Sequence, residues 1–235
     1  MNPAPEFVYP GGELDVFARA VRWKAYWSRA IRRWVRGRVL EAGAGLGANT
    51  LLLQNPAVAA WHCLEPDPHL AAAAAAALAG LKSCTVTTGT TADVAAARFD
   101  TVLYIDVLEH IEDDRAELQR AARLLNPGGS IVVLGPAHQF LFSPFDAAIG
   151  HFRRYNRPSL RACSPPGCRL EALFYLDSVG MILSLANRLL LRQSLPTPAQ
   201  IAFWDRRVVP LSRLLDPLTA RRLGKTICAI WVRPA

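Results

Sequence analysis

Residues Val39–Thr50 read Val-Leu-Glu-Ala-Gly-Ala-Gly-Leu-Gly-Ala-Asn-Thr, and Leu51, Leu52 and Leu53 follow. A short apolar run ends in an acid, turns through three glycines and enters a helix-competent segment. This is how a buried strand passes into a helix whose N-terminus receives a nucleotide-like ligand. Glycine suits such a turn for two reasons. It accepts positive φ, and it lets a ligand approach the backbone. A chain carrying this turn is constrained to an α/β fold with its ligand at the carboxyl end of the strand.

The rest of the chain repeats the unit. Strands are predicted over 38–41, 57–65, 84–88, 99–105 and 130–134. Helices are predicted over 46–54, the alanine run 71–77, and 112–125, which ends at Asn126-Pro127-Gly128-Gly129. Five alternations imply a parallel sheet with right-handed crossovers and helices on both faces. Residues 13–36 predict an amphipathic helix, with Phe17, Ala20, Trp23, Trp27, Ile31 and Trp34 near helical spacing among arginines. It packs on the domain, and as a lid it would offer Trp23, Tyr26 and Trp27 to a substrate. After Gly135-Pro136 the alternation breaks. A loop over 136–157 is long enough to be functional. A short helix (158–163), a strand (168–176), apolar helices (178–193 and 198–222) and a last strand (226–232) follow. The two final strands fit an antiparallel pair with a long excursion between its arms. The chain thus divides into an arm and lid helix (1–36), a ligand-binding core (37–135) and an acceptor-binding part (136–235), all within one domain.

Composition narrows the function classes. With 51% hydrophobic and 20% charged residues the chain is globular. The formal charge of +8 comes almost wholly from arginine, the only lysines being Lys24, Lys82 and Lys225. The arginines are scattered without a run of five, which favours a solvated surface over nucleic-acid binding. Cys63, Cys84 and Cys228 sit in apolar runs. Cys163 and Cys168 flank a Pro-Pro-Gly turn with no second ligand pair, so no metal site is expected. No leader peptide is expected from the N-terminal residues, and Asp177, Asn187 and Arg188 interrupt the apolar stretch 176–191, which argues against a membrane span. These features lead to the expectation of a cytoplasmic protein.

Glycine spacing alone leaves two cofactors open. Gly43, Gly45 and Ala48 satisfy a dinucleotide pattern, and Glu65 lies where a ribose-binding acid belongs, so an NAD-dependent oxidoreductase competes. Against it, Glu41 just before the turn would repel a pyrophosphate but accept from an ammonium group, and the chain has no Tyr-x-x-x-Lys pair. Together, Val39–Thr50, Glu65, Phe99-Asp100, Ile105-Asp106-Val107-Leu108-Glu109-His110-Ile111 and Leu124–Gly129 resemble the class I S-adenosylmethionine-dependent methyltransferases. The likeness is to the small-molecule group within them, and Gly150-His151-Phe152-Arg153-Arg154-Tyr155 resembles a signature of a bacterial subgroup.

That resemblance implies a Rossmann-like methyltransferase sheet of parallel strands with an antiparallel C-terminal strand. It implies that S-adenosylmethionine is held by Glu41, Gly43, Gly45, Gly47, Glu65, Pro66, Thr90, Thr91, Asp93, Asp106, Val107 and His110. An acid is usual in the family at the position of Thr90, so either Thr90 or Asp93 borders the adenine. For the acceptor, a small metabolite, with a hydrophobic one among the options, methylated on oxygen or nitrogen ahead of carbon, the candidate bases are His138 and His151, with Asp146 as orienter or alternative base and Tyr155 beside them. Arg153 and Arg154 would bind an anionic group, or else tie the loop down by salt bridges. A same-fold enzyme using the cofactor for cyclisation or aminobutyl transfer, and a non-catalytic binder, also fit. The Asn/Asp-Pro-Pro-Tyr/Phe element of base-modifying enzymes is missing, and a homodimer is compatible with the sequence.

Overall fold

The structure is a computed structural model and describes residues 9, 19–94, 97–186 and 197–235. Seven strands form one sheet: β1 (Gly37–Ala42), β2 (Val58–Glu65), β3 (Cys84–Thr88), β4 (Phe99–Ile105), β5 (Leu125–Pro136), β6 (Arg169–Leu176) and β7 (Thr226–Val232). Their order is β3-β2-β1-β4-β5-β7-β6. The pairs among β1 to β5 are parallel, and β7 runs antiparallel to both β5 and β6. The expected antiparallel strand is therefore present, lodged inside the sheet rather than at its rim. β6 and β7 arise beyond residue 136 yet complete the sheet begun at residue 37, so the two parts share one core.

Around the sheet lie α1 (Val21–Ile31), α2 (Ala48–Leu53), α3 (Pro68–Leu78), α4 (Asp114–Arg123), α5 (Pro144–Ala148), α6 (Arg157–Ala162), α7 (Ser178–Ala186), α8 (Pro198–Phe203) and α9 (Val209–Leu215). The alanine run forms α3 because alanine loses no side-chain entropy in a helix. Asp67 caps it by accepting from the amides of His69 and Leu70, with Pro68 in the first turn. Ala71, Ala74 and Leu78 are its buried stripe. A π-helical stretch, Trp204–Val208, joins α8 to α9. The predicted Asn126–Gly129 turn falls inside the span of β5 as an irregularity in its pairing with β4, and Gly128 there has φ 76°.

The sheet is covered on both faces. One apolar cluster joins α1 and α9 to β1, β2 and β7, including Trp23, Trp27, Ile31, Trp61 and Ile230. The other joins α4 to Phe99, Tyr104, Tyr155 and Trp231. The helix predicted over 13–36 is observed as α1 plus a 3-10 turn over Arg32–Trp34. Residues 13–18 of that expectation, and 187–193 of the helix expected over 178–193, lie outside the described residues. Among the described residues no helix is long and apolar enough to cross a membrane.

Candidate active site

The site lies where β1, β2, β4 and β5 end together. Gly43, Gly45 and Gly47 all have positive φ (63°, 54° and 77°). At Gly43 space is also decisive: a Cβ would stand 2.6 Å from Cγ2 of Val107, at the end of β4. Glu65 fixes the loop from the side. Its Oε2 accepts from the Gly45 amide at 2.8 Å and its Oε1 from the Asp67 amide at 3.0 Å.

Glu41 is buried beneath the same loop. Its Oε2 accepts from Thr50 Oγ1 (2.6 Å) and Trp61 Nε1 (2.9 Å), while Oε1 is buried without a partner. Burial raises its pKa to about 7, against the two hydrogen bonds, which lower it, and Glu65, which adds to the rise. A half-satisfied buried carboxylate beside a glycine turn is complementary to a cationic group.

The loop after β3 is organised by itself. Asp93 accepts from the Thr90 amide (2.8 Å) and hydroxyl (3.1 Å). Thr91 turns inward to Glu117 at 2.6 Å, which directs its hydroxyl into the core instead of toward a ligand. Tyr9, missed by the sequence reading, bridges the ends of β2 and β4. Its amide donates to Asp67 Oδ2 (2.8 Å) and its ring meets that of His110 edge-on at 5.7 Å.

Non-glycine residues in left-handed backbone conformations follow three strands: Asp106 after β4 (φ 54°), His138 after β5 (φ 66°) and Asp177 after β6 (φ 66°). Such geometry is uncommon outside glycine, although Asp and His are enriched in it. Asp106 keeps an exposed side at the open strand end, yet desolvation by the surrounding protein raises its carboxyl to about 6, against the nearby His151 and Lys225. His138 stacks on Tyr175 (4.8 Å, 14°), and its Nε2 is buried without a partner. Burial lowers its pKa, so the imidazole is neutral. Lys225, another residue unmarked by any motif, lies 3.8 Å over the Trp204 ring and 3.5 Å from Asp177.

The 136–157 loop is held by a buried clamp. Asp146 receives Arg154 through Nε to Oδ1 and Nη2 to Oδ2, both 2.8 Å. It also receives His151 Nδ1 at 3.0 Å and the amide and hydroxyl of Ser143 at 2.8 Å each. Burial would raise its pKa, but these hydrogen bonds and the Arg154 charge outweigh it and hold the carboxyl well below the usual range. Asp146 therefore orients its neighbours and is a poor base. Arg153 binds Asp114 (2.7 Å) and the Glu112 carbonyl (2.6 Å). Tyr155 is buried with its hydroxyl 3.0 Å from Asp114 and 3.1 Å from the Leu108 carbonyl. Burial and Asp114 raise that phenol far above its ordinary value, which removes it from proton transfer near neutral pH. The two arginines are salt-bridged as the alternative reading had it, and their guanidinium groups are committed to protein carboxylates.

Trp23, Tyr26 and Trp27 are buried in the core. The Tyr26 hydroxyl donates to Asp216 at 2.7 Å, and Trp23 packs on Trp204 at 5.5 Å. In place of an open substrate-facing lid, the aromatic stripe pins α1 to the domain. Glu109 is fully buried, and its pKa is raised by desolvation and then by Asp106. His110 is pushed down to about 4, mainly by burial.

The order of the sheet, with an antiparallel strand inserted beside β5, separates this fold from the all-parallel dinucleotide sheet. Residues 40–131 match the family described as a methyltransferase domain. Residues 40–131 thus form a methyltransferase domain. That family implies S-adenosylmethionine as methyl donor. A search of curated proteins finds no match. Among solved structures the methyltransferase is similar to a candidate sarcosine dimethylglycine methyltransferase from Galdieria sulphuraria (20% identity, 92% of this chain and 86% of that one, TM-score 0.60). It is also similar to the N-methyltransferase NodS from Bradyrhizobium japonicum (13%, 95% and 99%, 0.58). The [4+2]-cyclase SpnF shares the fold as well (15%, 96% and 95%, 0.61). At these identities the likeness speaks for the fold.

Proposed function

We propose that this S-adenosylmethionine-dependent methyltransferase acts on an oxygen or nitrogen atom of a small metabolite with an apolar body, and that His138 takes up the proton released. The observation that carries the proposal is the buried, unpartnered Nε2 of a neutral His138 at the end of β5.

The residues present fit the cofactor. Glu41, with one oxygen free, suits the ammonium group, the Gly43–Gly47 turn the methionine end, and Glu65 the ribose hydroxyls, since a carboxylate accepts two hydroxyl donors well. Bound S-adenosylmethionine supplies an electrophilic methyl group whose leaving group is a neutral thioether. The protein's own work is then to position the nucleophile, exclude water and accept a proton. Tyr9 helps close the site from the arm. Exposed apolar side chains on α7 and α9, among them Ile182, Leu183, Leu211 and Leu214, support an acceptor with a hydrophobic part. Free thiols at all five cysteines accord with a reducing, cytoplasmic setting.

The test is calorimetric titration with S-adenosylhomocysteine, followed by a screen of phenolic and amine acceptors for methyl transfer. His138→Gln should lower kcat at least about a hundredfold with cofactor affinity unchanged. Unchanged turnover in that variant would remove His138 from the reaction. Binding of NAD without S-adenosylhomocysteine would remove the cofactor assignment.

A further inference from the structure

The loop histidine of Gly150-His151-Phe152-Arg153-Arg154-Tyr155 meets two residues from the end of β4. Glu109, on the 3-10 turn Leu108–His110, is fully buried, and neither carboxylate oxygen has a hydrogen-bond partner. Its Oε1 stands 3.9 Å from Nε2 of His151. Room for the carboxylate comes from Gly135, where a Cβ would sit 3.1 Å from Oε2. The His110 and His151 rings lie edge to face at 4.5 Å. One ligand atom from each of Glu109, His110 and His151 lies within 4.8 Å of the others.

A buried carboxyl group that meets no donor from another residue is costly to ionise unless a cation faces it. Two imidazoles and that carboxylate form a recognised ligand set for such a cation. We propose that Glu109, His110 and His151 bind a divalent first-row transition metal ion, with zinc as the default occupant.

The surroundings are those of metal-ligating histidines, whose second ring nitrogen is held by a carboxylate or a backbone carbonyl. Nδ1 of His151 is held by Asp146 at 3.0 Å, which leaves Nε2 turned toward Glu109. The His110 ring is hydrogen-bonded to the backbone of Gly150. Imidazole ligands disfavour magnesium and calcium, which take oxygen. With metal–ligand bonds near 2.0–2.1 Å, tetrahedral ligand atoms stand about 3.3 Å apart, so the three side chains need draw in by about 1 Å. Three protein ligands leave one position of a four-coordinate ion open to water or to an oxygen of a second molecule. The sequence reading looked for a second ligand pair beside Cys163 and Cys168 and found none. This set joins residues 41 positions apart that only the fold brings together.

The ion site stands independently of the methyl-transfer reading, and one set of titrations keeps them apart. The full chain, stripped with a chelator, is titrated with Co2+ by visible absorption and with Zn2+ by calorimetry. S-adenosylhomocysteine binding is measured in parallel. One saturable equivalent with cobalt d–d bands is expected. It should be abolished in Glu109→Gln and His151→Gln variants that still bind S-adenosylhomocysteine. Asp146→Asn should weaken Zn2+ by about tenfold to a hundredfold. A wild-type chain that binds S-adenosylhomocysteine but gives no saturable Co2+ absorption overturns the proposal and leaves the methyltransferase reading intact. So does Co2+ absorption undiminished in both ligand variants. Saturable metal binding lost in those variants, in a chain that does not bind S-adenosylhomocysteine, supports the ion site and counts against the cofactor assignment.

Discussion

Replacing Glu41 with glutamine tests whether the carboxyl group beneath the glycine turn resists ionisation. Its pKa is raised from 4.5 to about 7 by burial. A carboxyl that holds its proton more tightly when folded contributes stability that is fully present below the unfolded pKa. That contribution is lost as pH rises through the folded value. That rise from 4.5 to about 7 corresponds to about 3 kcal/mol between roughly pH 4.5 and pH 8, at about 1.36 kcal/mol for each tenfold change in proton affinity. Glutamine has the same shape and cannot ionise. Its amide still accepts from Thr50 and Trp61 through oxygen, and any penalty for its unpaired NH2 is the same at every pH. Chemical denaturation of both proteins at about pH 5 and about pH 8 isolates the effect. The wild-type chain should lose about 2.5 kcal/mol more than Glu41→Gln over that interval. Equal losses would refute the claim that Glu41 is held protonated by burial. The same carboxyl predicts that S-adenosylhomocysteine, through its ammonium group, displaces a proton near about pH 6.5, seen as an enthalpy that varies with buffer ionisation heat.

Asp216→Ala should cost at least about 3 kcal/mol by urea denaturation, because it strands the Tyr26 hydroxyl and the amides of Asp177 and Ser178, all of which donate to that carboxylate. Gly43→Ala meets both a left-handed backbone and the Val107 methyl at 2.6 Å. A Gly43→Ala/Val107→Ala pair should recover the steric part while leaving about 1–2 kcal/mol of backbone strain, measurable in a double-mutant cycle. Tyr155→Phe should lower stability by about 1–2 kcal/mol through loss of the bond to Asp114, while methyl transfer by the folded protein stays within about threefold; a far larger fall in turnover would return Tyr155 to the chemistry.

Much of the fold could be read along the chain because it is written in local terms. Positive φ needs glycine at 43, 45 and 47, alanine runs make helices, and alternation of strand and helix makes a parallel sheet. The proposed cofactor end follows from the same local grammar, since Glu41 lies one residue before the end of β1 and Glu65 ends β2. The acceptor end is written in long-range contacts. Arg154, Asp146 and Tyr155 carry chemically suggestive side chains, yet each is saturated by a partner that no spacing rule selects. The Trp23, Tyr26 and Trp27 stripe has the period of a helix face, and period alone does not say whether that face meets a ligand or a core. Glu109 belongs to the Ile105–Ile111 run that carries the family resemblance, and its orphaned oxygens become visible only once His151 is folded against it.

The position of β7 has a consequence for how the chain is assembled. Of the seven strands this one is synthesised last, yet it separates β5 from β6 and its residues Ile227 to Trp231 are wholly enclosed. Until it arrives, β5 presents an open edge and β6 has no sheet to join. The nascent polypeptide must carry an unpaired edge of the kind that recruits other chains. Protection during synthesis, by a chaperone or by speed, is thus a requirement built into the topology itself.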